Sequence, residues 1–359
     1  QALLAAYPDH DLLLTCMTPT GRDTGREVYG QRVIQAYLPY DYPDAVARFL
    51  AHFQPRLGVL METELWPNLL AACAARRLPV VLANARLSAR SAAGYARFAA
   101  LARPAFAALG ACAAQTPADA ARLRQLGTAD VTVCGNLKFD VTPAAEKRAL
   151  GREWKAALAG RPVWLAASTR EGEELPLLEA WQAALQRMLQ PDPQSPLPLL
   201  VLVPRHPQRF DEVAALVRRQ GLWLGRRSAG LPDARCQVWL GDSMGEMPAY
   251  YTLADLAFIG GSLLPLGGQN LIEAAACACP VLIGPHTFNF TQATEDALAA
   301  GAARRVQTAT ELVAEVEALL GAAASRQQMV AAAEEFASAH RGATERTLAL
   351  IARCYPAAR

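Results

Sequence analysis

The chain has 359 residues, of which 52% are hydrophobic and 19% charged, with a formal net charge of +2. That balance excludes a disordered chain. The length favours two domains over one core, and so small a net charge gives no reason to expect nucleic acid as a partner. Eight cysteines are scattered without a C-x-x-C pair, and five histidines supply no metal-ligand spacing. Reduced, buried thiols and a site without metal or cofactor are expected.

In chain order, the opening Gln1-Ala-Leu-Leu-Ala-Ala reads as the end of a helix already under way, an expectation of N-terminal truncation that takes in the first βα unit. Asp9-His-Asp11 has the D-x-D form but precedes a strand, so it reads as a polar turn. Strands are predicted at 12–15, 58–61, 80–83, 111–115 and 131–134, with helices at 44–53 and 66–77 between them. A polar helical stretch over 143–160 joins the two halves. A second strand series follows at 163–167, 199–203, 222–224, 238–240, 256–259 and 281–283, with a proline-bearing surface loop at 190–198. Strands alternating with helices predict an α/β chain with mostly parallel sheets: two Rossmann-like domains facing across a cleft, at 1–142 and 161–359, joined by a linker at 143–160. No apolar run in these residues reaches the roughly 20 that a spanning helix needs.

In such sheets ligands bind beyond the carboxyl ends of the strands, and there the polar residues gather. The first half supplies Thr18-Pro-Thr-Gly21, Glu62-Thr-Glu64, Asn84-Ala-Arg86-Leu-Ser88 and Gly135-Asn-Leu-Lys138-Phe-Asp140. The second supplies Ser168-Thr-Arg170-Glu-Gly-Glu173, Pro204-Arg205-His-Pro207, Gly241-Asp-Ser-Met244-Gly245-Glu246 and Gly260-Gly-Ser262. Gly267-Gly268-Gln-Asn270-Leu271-Ile272-Glu273 is the sharpest local signal. A glycine pair running into a helix start lets backbone N–H groups face an anion, and the helix dipole adds to the attraction. Glu273, one turn in, could accept hydrogen bonds from a ribose diol. With Arg205 and Lys138 this reads as a nucleotide-phosphate site. No P-loop, dinucleotide fingerprint or nucleophile elbow occurs. Glu62 and Glu64 alternate along what reads as one extended segment, so one of them faces the cleft. Arg86, Arg90 and Arg97 fall within about 40° of one another on a helical wheel. They read equally as a phosphate cradle or as a solvated face.

Several of these runs resemble the bacterial 3-deoxy-D-manno-octulosonic acid (Kdo) transferases of the lipopolysaccharide pathway. They are Met61-Glu-Thr-Glu-Leu-Trp-Pro-Asn68, Leu137-Lys-Phe-Asp140, Ala167-Ser-Thr-Arg-Glu-Gly-Glu173, Val203-Pro-Arg-His-Pro207, Met244-Gly-Glu246 and Gly268-Gln-Asn-Leu-Ile-Glu273. The resemblance implies a GT-B glycosyltransferase fold, CMP-Kdo as donor and a lipid A precursor (lipid IVA) as acceptor. It also implies peripheral or anchored membrane contact at the cytoplasmic face of the inner membrane. The first domain would then be the acceptor side and the second the donor side. Carried over by position, Pro204, Arg205, Met244, Gly245, Glu246, Asn270, Leu271, Ile272 and Glu273 would hold CMP, with Ser168 and Gly268 beside them. Glu62 and Lys138 would stabilise the transition state, and Thr20, Arg86 and Arg90 would meet the acceptor. The family's general base is a Glu in a Ser-Val-Gly-Glu segment upstream of the residues matching Tyr7-Pro-Asp9. The chain as given is therefore expected to lack the base and the membrane-anchoring helix before it. The alternatives are a GT-B transferase or epimerase using a UDP-sugar, and a non-catalytic nucleotide- or lipid A-binding module.

Overall fold

The computed structural model describes residues 1–140, 142–189, 197–339 and 341–355. Most of the expected loop at 190–198 lies outside the described residues. The chain forms two compact units, Gln1–Asp140 with His340–Arg359, and Val141–Ala339.

In the first unit, β1 (Leu13–Cys16) pairs in parallel with β2 (Ile34–Tyr37). A separate parallel sheet runs in the order β3 (Gly58–Met61), β4 (Val80–Ala85), β5 (Ala111–Ala114), β6 (Val131–Val133). Every residue of β4 and β5 is buried, as a central parallel strand covered on both faces requires. Leu82 and Cys112 pack on one face with Leu70, Phe106 and Leu123. On the other face, Val81, Ala111 and Ala113 pack with Leu350 and Ile351.

That second face corrects the expected boundaries. The helix Ala343–Cys354 was assigned to the second domain, yet it completes the first unit. Each fully buried aliphatic side chain contributes about 1.5–3 kcal/mol, and the face of β4 and β5 that this helix covers supplies the partner. Asp140 fixes the docking from the far side of the sequence. Its carboxylate accepts the N–H groups of Gly342 (2.6 Å) and Ala343 (3.2 Å) and that of Thr344. Burial alone would raise this carboxyl, but hydrogen bonding from the Thr344 side chain and from the three N–H groups outweighs it and holds the group below its ordinary value of 3.8. Asp140→Ala is expected to cost about 1–2 kcal/mol, the scale of a lost helix cap, measured by urea denaturation at pH 7. A lowered folded-state value means the contribution is present above pH 3.8 and lost as the pH falls through the lowered one. The difference between wild type and variant should therefore shrink on acidification.

The second unit holds one parallel sheet of seven strands in the order β13-β12-β11-β7-β8-β10-β9. The strands are β7 (Val163–Thr169), β8 (Leu199–Pro204), β9 (Leu224–Arg226), β10 (Val238–Leu240), β11 (Leu256–Ile259), β12 (Val281–Ile283) and β13 (Ala303–Arg305). The central strands are continuous apolar runs, and Trp164, Trp181 and Phe258 are fully buried among them. The expected linker is the helix Ala145–Ala157, and it belongs to this unit. Gly151 allows the contact, since a Cβ there would lie 2.4 Å from the Ala249 carbonyl oxygen. Trp154 of the same helix packs against Trp239 and Tyr250 at 5.2 Å between ring centroids. From β7 the chain moves outward through β8 and returns to β11 on the other side of β7. The β7–β11 boundary is therefore the topological switch point, where α/β sheets open a crevice for ligand.

Candidate functional site

The loops after β7 and β11 approach closely because glycine lines one of them. A Cβ at Gly260 would lie 2.5 Å from the Ser168 carbonyl oxygen. Ser168 itself takes a left-handed φ of 56°, at the point where the β7–β8 register shifts. Beyond it, the Thr169 carbonyl accepts the N–H of Arg205 (2.9 Å), so the end of β8 is held beside the end of β7. Pro204 is buried and Arg205 exposed.

Across the switch point, the Glu173 carboxylate accepts the N–H groups of Arg170 (2.9 Å), Gly261 (2.7 Å) and Leu263 (3.1 Å). Burial pushes this carboxyl up while the N–H bonds act in the opposite sense. The Gly261 carbonyl in turn accepts the N–H of Gly268 (2.7 Å). Gly267 takes a left-handed φ of 90°, and a Cβ there would crowd the Asn289 amide at 2.3 Å. Ser262 extends the tie to β12, its hydroxyl oxygen accepting the Gly284 N–H (2.9 Å).

The glycine pair does not run into a helix able to supply a strong dipole. The helix Ile272–Ala276 has five residues, and the Asn270 side-chain oxygen already accepts the Ile272 N–H (3.0 Å). An anion here would meet backbone N–H groups of the loop and Arg205, so the expected dipole contribution is corrected downward. Leu271 and Ile272 are each 1% exposed, so only their backbone remains for a ligand. Glu273 is different. Its half-buried carboxyl makes no hydrogen bond among the described residues, and burial pushes it above its ordinary value.

Beyond β10 the carboxylates are already engaged. Asp242 accepts from Arg226 Nε (2.7 Å), the Ser228 N–H (2.8 Å) and the Ser228 hydroxyl (2.6 Å). Glu246 accepts from Arg227 (3.1 Å) and from the Ser243 hydroxyl (2.5 Å). What this loop leaves open is Met244, 65% exposed, and the backbone of Gly245 at a φ of 72°. The predicted donor residues thus follow β11, β7, β8 and β10, four consecutive strands of the sheet.

In the first unit, Glu62 directly follows β3 and Lys138 lies in the short 3-10 helix Leu137–Asp140 after β6. The two loops are linked through the end of β4. Glu62 donates its N–H to the Ala83 carbonyl (2.9 Å), and the Asn84 side-chain oxygen accepts the N–H of Leu137 (3.0 Å). The expected alternation of Glu62 and Glu64 is not found, because Glu62 has a φ of 60° and begins a turn. Glu64 accepts from the Trp66 indole (3.2 Å), whereas the exposed Glu62 carboxylate makes no hydrogen bond among the described residues. Arg86 precedes the helix Ala89–Arg97, whose cap is Ser88, so it cannot share a helical face with Arg90 and Arg97. Arg86 and Arg90 are both exposed. Thr20 sits in the first turn of the helix Pro19–Tyr29, beside the two-stranded sheet and not the four-stranded one. Asp9–Asp11 lies in the bend before β1, as expected of a polar turn.

Glu173, Ser262 and Asp242 were not among the predicted site residues. Glu173 stood inside a quoted motif, and its one sequence signal was a carboxylate four residues beyond a strand end.

Solved structures share this architecture. UDP-GlcNAc 2-epimerase from Neisseria meningitidis superposes with a TM-score of 0.61 at 14% identity, covering 98% of this chain and 95% of that one. A glycosyltransferase from Rickettsia africae gives 0.60 at 11% identity, over 99% and 93%. The fold is therefore that of the GT-B glycosyltransferases and epimerases. Residues 1–141 match the family model for 3-deoxy-D-manno-octulosonic-acid transferase (kdotransferase). The 3-deoxy-D-manno-octulosonic acid transferase of Bordetella pertussis is 48% identical over 358 residues, 97% of this chain and 82% of that protein. The transferase of the same name from Haemophilus influenzae is 39% identical over 353 residues, 96% and 80%. This chain belongs to the Kdo transferase family, and its activity is that of a glycosyltransferase.

Proposed function

We propose that the protein transfers Kdo from CMP-Kdo to a lipid A precursor, at the cytoplasmic face of the inner membrane. The observation that carries the donor half is Glu273, a half-buried carboxyl with no hydrogen bond among the described residues, in the segment that follows the glycine pair after β11. Such a group is costly to bury unless a ligand completes it, and a ribose diol offers two donors. Arg205 and the loop N–H groups then serve the single phosphate of CMP.

The chemistry follows from charge. Breaking the glycosidic bond leaves negative charge on the departing CMP phosphate and an oxocarbenium-like sugar. Arg205 answers the first; Lys138 and the exposed Glu62, in the other unit, keep the transition-state roles that the family resemblance implies. Each preorganised group of this kind contributes about 2.7–4 kcal/mol of barrier lowering. The acceptor hydroxyl must lose its proton to a base during attack. Membrane contact is peripheral or anchored in this reading. Among the described residues no helix is long and apolar enough to cross a membrane.

The test is to incubate the full-length gene product, including any base encoded upstream of Gln1, with CMP-Kdo and tetraacylated lipid A precursor and to follow the lipid by mass spectrometry. A Kdo-bearing lipid is expected. Transfer from a UDP-sugar to the same lipid, with none from CMP-Kdo, would contradict the proposal.

A further inference from the structure

The boundary between β7 and β11 is tied at both ends by a carboxylate. At the amino ends, Asp255 accepts the N–H of Val163 (2.9 Å) and pairs with Lys155 (3.0 Å). At the carboxyl ends stands Glu173, 1% exposed, holding the three N–H groups already described. Only this second end carries residues assigned to the donor. On the β7 side, the Arg170 N–H is fixed next to Thr169, whose carbonyl anchors Arg205. On the β11 side, the Gly261 N–H is fixed, and its carbonyl anchors Gly268 ahead of Asn270 and Glu273. One side chain thus sets the spacing of both halves of the site while its own atoms are enclosed.

We propose that Glu173 is a positioning residue for the nucleotide donor, fixing the loops after β7 and β11 in the register that Arg205 and the Gly267–Gly268 turn require. This rests on the CMP-Kdo reading above. Removing the carboxylate leaves three N–H groups, one buried and two partly buried, without an acceptor, which favours loop conformations that reach water. Apparent affinity then falls in proportion to the fraction of molecules still competent to bind. The atoms also predict a graded series. One carboxylate oxygen (Oε2) accepts both Arg170 and Gly261, and the other (Oε1) accepts Leu263 alone. The single carbonyl of glutamine can keep the pair, while its amide group faces the Leu263 N–H and cannot accept it.

The experiment compares Glu173→Ala, Glu173→Gln and Asp255→Ala by calorimetric titration with CMP, alongside hydrogen exchange of the backbone. Glu173→Ala is expected to weaken CMP binding about tenfold or more, as when the competent fraction falls to about one-tenth. Glu173→Gln should fall between it and wild type. Asp255→Ala removes a carboxylate from the other end of the same strand pair, so it should lower stability yet keep wild-type affinity. Amides in 260–268 should exchange faster in the Glu173 variants while those of β8 stay protected. Equal CMP affinity in the Glu173 and Asp255 variants, or unchanged exchange in 260–268, would overturn the proposal. If wild type fails to bind CMP, the donor reading falls, and the exchange comparison still decides the positioning role. If Glu173→Ala does not fold, Glu173→Gln against Asp255→Ala carries the same comparison.

Discussion

Arg205→Ala is expected to weaken CMP binding tenfold to a hundredfold with little change in melting temperature. The side chain is exposed and makes no ion pair or hydrogen bond among the described residues. Its backbone is nevertheless held, the N–H donating to the Thr169 carbonyl at 2.9 Å. That arrangement aims a cation without using it for stability. A hydrogen bond to a charged group contributes about 1.5–3 kcal/mol, which corresponds to roughly tenfold or more in affinity. Folding loses only the small term of an exposed side chain, within about 0.5 kcal/mol. Calorimetric titration beside a thermal melt checks both halves. A folded variant with unchanged CMP affinity would remove Arg205 from the donor site.

Glu273→Gln should separate stability from binding in the opposite sense. Burial raises the Glu273 carboxyl above its ordinary value of 4.5, with no partner among the described residues to offset the cost. A raised folded-state value means the folded protein holds a proton that the unfolded chain releases. Stability linked to this group is therefore complete below pH 4.5 and lost as the pH rises through the folded value. Glutamine carries no such charge, so at pH 7 the variant should melt at or above the wild-type temperature, and the advantage should vanish toward pH 4. CMP affinity should meanwhile fall about tenfold, since an amide oxygen is a weaker acceptor for the ribose diol than a carboxylate. A variant less stable at pH 7, with unchanged CMP affinity, would make Glu273 an ordinary structural carboxylate.

Strands of continuous apolar residues were legible from the chain alone. Val80–Ala85, Val163–Thr169 and Leu199–Pro204 are buried almost throughout, and hydrophobicity marked each of them. The unpredicted strands lack that mark. Ile34–Tyr37 is half exposed in a two-stranded sheet, and Ala303–Arg305 is an edge of three residues, two of them arginine. What holds such edges is pairing to a distant neighbour, and a local pattern does not carry that. The same limit hid the return of Leu350 and Ile351 to the first unit, which depends on a contact between Asp140 and residues about two hundred positions away. At the site, residue types at strand ends were readable because the parallel α/β rule fixes which ends matter. Side-chain directions were not. Glu62 turns at a left-handed φ, and Leu271 and Ile272 face the core. Glu246 is occupied by Arg227, which arrives from the turn after β9.

The central claim, a cytidine monophosphate sugar as donor, is tested most directly by parallel calorimetric titration of the protein with CMP and with UDP. Saturable CMP binding that Arg205→Ala weakens is expected, with no comparable binding of UDP, since the cradle of Arg205, Glu273 and the loop N–H groups is assigned to a nucleoside with a single phosphate. Binding of UDP as tight as that of CMP, or tighter, would contradict it.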